Sequence, residues 1–302
     1  MGSIIITGEG EGCPQRIQEI TVYDKIKRID IANRLLKDST PFQEIYFAFP
    51  FNTEKPRFKF EATDSVITPM QDQLPGSCTD YYAAQHWVNV SNEEFAITFS
   101  SADAHMVELG GLWPGYVSYA HHCVTPPGFG HKFLKLGDLK KSHIYSYVMN
   151  SNFRTNFSPT QTGDLLFRYS ITSHKGDWKS GKSRNFGWGM SNPPISVFVE
   201  GNKRGPLNTS QSFCNVDKSN VMLLNMKMAE DNDGIIIRLI ETEGKETSAT
   251  VTFPSMKITE AQLVNLVEEN GKILDHKPHA VTLPIKAFGI TTARIKVAER
   301  QL

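Results

Sequence analysis

The chain is poor in cysteine, and the four it has are scattered. Cys13, Cys78, Cys123 and Cys214 form no Cys-x-x-Cys pair, which removes a zinc site or a dithiol redox motif readable from spacing. Ordinary, mostly buried thiols are expected instead. Long apolar runs are missing too: none reaches the roughly 18 residues that a membrane span needs. Neither sign of charge is in excess, because 32 basic residues balance 32 acidic ones. A neutral chain lacks the electrostatic footprint for nucleic acid or an anionic membrane, so neither is expected as a partner. No Gly-x-Ser-x-Gly elbow and no His-Glu-x-x-His zinc helix occurs. The start, Met1-Gly2-Ser3-Ile4-Ile5-Ile6, has no basic stretch leading into a long apolar one and does not read as a signal peptide. Asn-x-Ser/Thr triplets at Asn89, Asn156 and Asn208 are no more than chance supplies, and the compartment stays open.

What is present is a β pattern. Short apolar or alternating runs lie between turn residues. Ile17 to Tyr23, Ile26 to Ala32, Ile45 to Phe51, Phe58 to Thr63, Gln85 to Val90, Phe95 to Ser100, Leu165 to Thr172 and Ile195 to Val199 read as strands. In the run from Leu165, the apolar Leu165, Phe167, Tyr169 and Ile171 alternate with Leu166, Arg168, Ser170 and Thr172. Successive side chains leave opposite faces of a strand, so this ribbon suits one layer of a sandwich. A polar stretch with Gly and Pro, Glu200 to Asn208, is the expected linker and the expected site of first proteolysis. It divides the chain into residues 1–205 and 206–302.

Beyond the linker, a turn at Asp231-Asn232-Asp233-Gly234 leads into a strand from Ile235 to Glu241. Glu243-Gly244-Lys245 turns the chain, Ala249, Val251 and Phe253 alternate on the return, and Ala293 to Val297 is the last strand. Thr259-Glu260-Ala261-Gln262 resembles a capping box, so by propensity alone the run to Glu269 would be helical.

Several motifs invite chemistry. Gly176-Asp177-Trp178-Lys179-Ser180-Gly181-Lys182-Ser183 has the letters of a phosphate-binding loop. Such a loop needs a helix after it, and the following residues, with Gly187, Gly189 and the pair Pro193-Pro194, argue against one. An exposed polar loop is expected. The Asp231 turn lacks the closing Glu of a calcium loop. His121 and His122 are adjacent, so on a strand they point apart and make poor co-ligands. No structural zinc or calcium is therefore expected. Trp87 reads as core, whereas Trp178 and Trp188, in a Gly-rich stretch, read as exposed and able to stack on a sugar.

One ordered set of segments carries a resemblance. Lys27 to Arg34, Ile45 to Phe51, Asp72 to Gly76 and Asp103-Ala104-His105-Met106-Val107-Glu108-Leu109-Gly110-Gly111 are followed by Ser146 to Phe157, Leu166 to Ile171, Ile235 to Glu241 and Ala287 to Ala293. In this order the chain resembles the non-catalytic C-terminal region of the family 38 glycoside hydrolases, the retaining α-mannosidases. The resemblance implies an all-β fold: a large antiparallel supersandwich of the galactose-mutarotase kind, then a smaller β-sandwich. For the run from Thr259 it implies a strand ending in a turn at Asn270-Gly271, and that strand, not the helix, is the expectation. It also implies a partner, a catalytic barrel on the same polypeptide that carries the family's zinc and nucleophile. No catalytic residue, metal ligand or cofactor is then expected in this chain. It would hydrolyse no α-mannoside alone.

On the resemblance, Asp72 and Gln73, in a turn shaped by Pro75 and Gly76, and Asn150, Asn152, Arg154 and Asn156 are expected to face the barrel or bind carbohydrate. Their amides, carboxylate and guanidinium suit sugar hydroxyls. Two other readings stand beside this one: a free-standing carbohydrate-binding protein, and an aldose-epimerase-like enzyme, which would need a convergent His and Glu pair.

Overall fold

The computed structural model describes residues 1–113, 133–151, 158–201, 209–269 and 271–298. They are almost entirely antiparallel β, in two compact units, Met1–Pro194 and Ile195–Leu302. The division falls ahead of the expected linker, of which residues 202–208 lie outside the described residues.

The first unit holds β1 (Gly2–Gly10), β2 (Cys13–Val22), β3 (Ile29–Lys37), β4 (Glu44–Phe49), β5 (Arg57–Ala62), β6 (Ser65–Ile67), β7 (Tyr81–Ala83), β8 (Val88–Ser91), β9 (Phe95–Ser101), β10 (Met106–Leu109), β11 (Ile144–Asn150) and β12 (Gly163–Lys175), then helix α1 (Ser183–Ser191). Eight strands form one sheet in the order β1-β2-β3-β12-β9-β8-β5-β6, and four form another, β4-β11-β10-β7. The alternation in β12 sets its faces: Tyr169 is buried while Leu166 is exposed. Between the sheets lies an aromatic core in which Phe49 packs on Phe99 at 4.6 Å and on Tyr169 at 5.0 Å between centroids. The Tyr169 hydroxyl, which burial would leave unsatisfied, donates to Ser146 Oγ at 2.9 Å.

The large sheet runs past the small one. The four-stranded sheet ends at β4, while its partner continues through β3 to β2 and β1. In that overhang Ile4 and Ile6 on β1 and Val22 on β2 stay exposed.

The second unit holds β13 (Asn215–Val216), β14 (Val221–Met228), β15 (Ile235–Glu241), β16 (Thr247–Thr252), β17 (Ile258–Val264), β18 (Lys272–Ile273), β19 (His276–Lys277), β20 (Ala280–Ile285) and β21 (Ile290–Val297). A five-stranded sheet, β14-β15-β21-β17-β18, and a four-stranded one, β13-β16-β20-β19, enclose Ile237, Leu239, Val251, Phe253, Leu283 and Ile295, all fully buried. Of the two options for Thr259 to Glu269, the expected strand is the one that forms, with Asn270 of its expected turn outside the described residues. Ile258–Val264 is a strand because pairing with β21 buries Ala261 and Val264, and tertiary packing overrides propensity.

Other expectations need correction. Ile195 to Val199 forms no strand: its β-branched residues have no pairing partner, and Ile195 and Phe198 are almost fully exposed. The strand expected from Ile26 begins at Ile29, with Ile26 exposed before it. A helix does follow the Gly176 loop. It ends at Asn192, before Pro193, so the proline pair terminates it rather than preventing it. Gly187 serves packing, since an added Cβ would sit 2.8 Å from both the His86 carbonyl and Trp87.

Candidate functional site

The outward face of the four-stranded sheet gathers the polar residues that the sequence disperses. Antiparallel pairing sets Tyr46 of β4 against Tyr147 of β11, and Tyr145 of β11 against Glu108 of β10. The Tyr46 and Tyr147 rings stack with centroids 4.5 Å apart. Asn150 donates its amide hydrogen to the Tyr147 hydroxyl at 2.5 Å. Glu108 is buried, accepting the Trp113 backbone N–H at 2.8 Å.

Proton counting shows what this cluster can do. The Tyr46 hydroxyl oxygen lies 2.9 Å from Glu108 Oε1 and 3.1 Å from Glu44 Oε2. A phenol carries one hydrogen and cannot donate to both carboxylates. The arrangement is complete when one carboxyl keeps its proton. Burial pushes Glu108 above the ordinary carboxylate range, with Glu44 and Asp80 adding like charge. Burial and the Glu108 charge together push the Tyr46 phenol up as well. The cluster thus gathers two stacked phenols, two carboxyl groups and an amide, a set suited to hydroxyl-bearing ligands.

Of the residues expected at a site, Asn150 is the one placed in this cluster. Asp72 and Gln73 hold their own loop together. Asp72 Oδ2 accepts the Thr68 N–H at 2.7 Å, which keeps the carboxyl below its usual range. Gln73 accepts from Met70 N at 2.9 Å and donates to the Cys78 carbonyl at 3.0 Å. Asn152, Arg154 and Asn156 lie outside the described residues, as do His121, His122, His131 and Cys123. The sequence reading missed Tyr46 and Glu108 as site residues, although both sit inside quoted segments. The absent signal was the pairing of β4, β11 and β10 that brings them together.

The Gly176 loop closes on itself. The Asp177 carboxylate accepts the Ser180 N–H at 3.0 Å, where a phosphate oxygen would have to bind. Ser183 is buried, its hydroxyl 2.6 Å from Thr98 Oγ1 and 3.2 Å from the Asn89 amide. An added Cβ at Gly181 would fall 2.0 Å from the His174 ring, so the loop has no room for a ligand. Trp178 and Trp188 are part-buried rather than exposed. Trp178 stacks on Trp87 at 5.5 Å, and the Trp188 indole donates to Glu61 at 2.9 Å. Glu61 is buried with His86 at 2.9 Å and Arg184 at 3.2 Å, a network that docks α1 on the large sheet. Asn89 is buried in the same layer, which closes that sequon to a glycan.

Among the described residues, no three His, Cys, Asp or Glu side chains converge on a metal-binding point. None of the described helices is long and apolar enough to cross a membrane. Cys13, Cys78 and Cys214 are free thiols.

Comparison with known proteins locates this architecture. Residues 220–293 match the family model of the glycosyl hydrolases family 38 C-terminal beta sandwich domain. A protein of glycosyl hydrolase family 38 from Enterococcus faecalis superposes over 93% of this chain and 30% of its own, with a TM-score of 0.66 at 12% identity. An α-mannosidase from Enterococcus faecalis V583 superposes over 93% of this chain and 29% of its own, with a TM-score of 0.67 at 12% identity. The chain therefore spans about a third of the length of these structures. No curated protein sequence matches it. By sequence in its small sandwich, and by fold over nearly its whole length, the chain resembles the C-terminal β region of the family 38 glycoside hydrolases.

Proposed function

We propose that the chain is the accessory β-region of an α-mannosidase-like glycoside hydrolase. On this reading it supports a catalytic barrel elsewhere on the same polypeptide and presents the Tyr46–Glu108 face to carbohydrate. The observation that carries the proposal is the superposition of 93% of this chain on about 30% of a family 38 structure. That geometry fits a module of a larger enzyme. The stacked phenols, the Glu44 and Glu108 carboxyls and the Asn150 amide would hold hydroxyls by hydrogen bonds that both donate and accept. The metal and the nucleophile of the reaction would belong to the barrel.

The test compares the pure chain with the polypeptide read in frame through the DNA upstream of Met1. The longer protein should turn over an aryl α-mannoside, and the chain alone should not. Turnover by the chain alone, or an upstream frame that encodes no barrel, rejects the proposal. The second outcome would favour a free-standing carbohydrate-binding protein.

A further inference from the structure

A cavity of about 420 Å³ in the first unit lies away from the Tyr46–Glu108 face. It crosses strands β2, β3, β12 and β9 beside the end of α1, and its volume falls in the ~300–1,000 Å³ range of small-molecule sites. The register explains its floor. Thr21 pairs with Asp30, and Asp30 with Ser170, so these side chains form a row across three strands. Asp30 accepts the Ser170 hydroxyl at 2.5 Å, the Tyr23 hydroxyl at 2.5 Å and Arg28 Nε at 2.9 Å. Arg168 is clamped by Asp103 through contacts of 2.8 and 3.0 Å, which hold the Asp103 carboxyl below its usual range. The wall is apolar: Met190, Pro193 and Pro194.

We infer that this cleft is a binding site for a neutral pyranoside. Both cations of the cleft are already paired, Arg28 with Asp30 and Arg168 with Asp103, while the exposed Glu19 adds a carboxylate at its edge. An anionic ligand would have to break a pair to find a counter-charge. A hydroxyl does not, because it both donates and accepts and can use the oxygen lone pairs and N–H groups the pairs leave over. The rest of the floor is small, with Ala32, Ser100 and Ala102 leaving space above the sheet. A pyranose has a hydroxylated rim and an apolar C–H face, which match the polar floor and the Met190–Pro194 wall. The inference shares with the proposed function the idea that carbohydrate is the ligand, but it needs no barrel.

The experiment titrates the pure chain with methyl α-D-mannopyranoside, using calorimetry and saturation-transfer NMR, with sodium phosphate as the ionic competitor. One saturable glycoside site is expected, indifferent to phosphate. Ser170→Ala should weaken it by about 3- to 10-fold, the loss of one hydrogen bond. Ala32→Arg, which fills the floor, should abolish it. Far-UV spectra and tryptophan fluorescence identify a misfolded variant, and Ser170→Ala alone then decides. No saturable binding, binding untouched by Ser170→Ala, or phosphate displacing the sugar would overturn the inference. None of these outcomes bears on the barrel-dependent turnover that tests the proposed function.

Discussion

The two units solve the sandwich differently. The second closes around an aliphatic core, with Ile237, Leu239, Val251, Leu283 and Ile295 fully buried and Phe253 the one aromatic in that set. The first has an aromatic core and also buries Glu61, Asn89, Thr98 and Glu108. All four tryptophans and all nine tyrosines of the chain lie in residues 1–194. Buried polar groups cost stability unless every partner is in place, and they give specificity or chemistry in return. The second unit buries Glu241 and Thr292 as well. What separates the units is therefore an aromatic core against an aliphatic one, and the surfaces proposed for carbohydrate lie in the aromatic unit.

The largest effect should come from Phe253→Ala. Opening a cavity in the aliphatic core costs roughly 3–5 kcal/mol. Calorimetry should show the second unit's transition fall sharply, while tryptophan fluorescence, which reports only on the first unit, keeps its midpoint. An equal shift in both signals would erase the distinction between the units.

Next, Glu61→Gln removes the charge that His86, Arg184 and Trp188 share. Leaving Arg184 buried without that carboxylate costs roughly 3–5 kcal/mol at most. Urea unfolding followed by tryptophan fluorescence reads it, and an unchanged midpoint would show that the network is not what seats α1.

Acid should move the units in opposite directions at two named groups. Glu241 accepts backbone N–H groups from Glu243, Gly244, Lys245 and Phe288, and these hold its carboxyl below the usual range against the cost of burial. Its contribution is present above the unfolded carboxylate value and is lost as pH falls through the folded one. Glu108 is raised, so its penalty is absent below the unfolded value and grows as pH rises toward the folded one. Glu241→Gln should flatten the acid loss in the second unit, and Glu108→Gln should stabilise the first at neutral pH. Calorimetric pH series on the two variants would expose a reversed sign.

The smallest effect is expected at Gln73→Ala, which deletes two hydrogen bonds of a surface loop and costs about 1 kcal/mol. A shift well above that in the fluorescence midpoint would mean the loop supports more than itself.

Much of the fold is legible in local pattern, because a half-buried strand must alternate, as β12 and β16 do, and a strand buried on both faces reads as a continuous apolar run, as β15 does. The β1 strand escaped notice because Ile4, Ile5 and Ile6 are all exposed, and no core selects one parity. Helix α1 was concealed by two glycines that look like breakers, of which Gly187 serves close packing. Ile195 to Val199 has strand chemistry without a strand, since pairing depends on what lies alongside. The Tyr46–Glu108 cluster joins three segments from residues 44 to 150, and local sequence carries no information about which of them lie side by side.

The pairing of β3 with β12 sets a timetable for the first unit. Residues Ile29–Lys37 bond to Gly163–Ile171 across a long stretch of intervening chain, and contacts so distant in sequence are slow to close. On a ribosome, the meander of β1, β2 and β3 emerges early and can zip locally, with Ile4, Ile6 and Val22 on show. It then waits for β12 before the large sheet can join. Within the first unit the overhang is therefore both the earliest part able to order and, during synthesis, the longest-lived target for a chaperone.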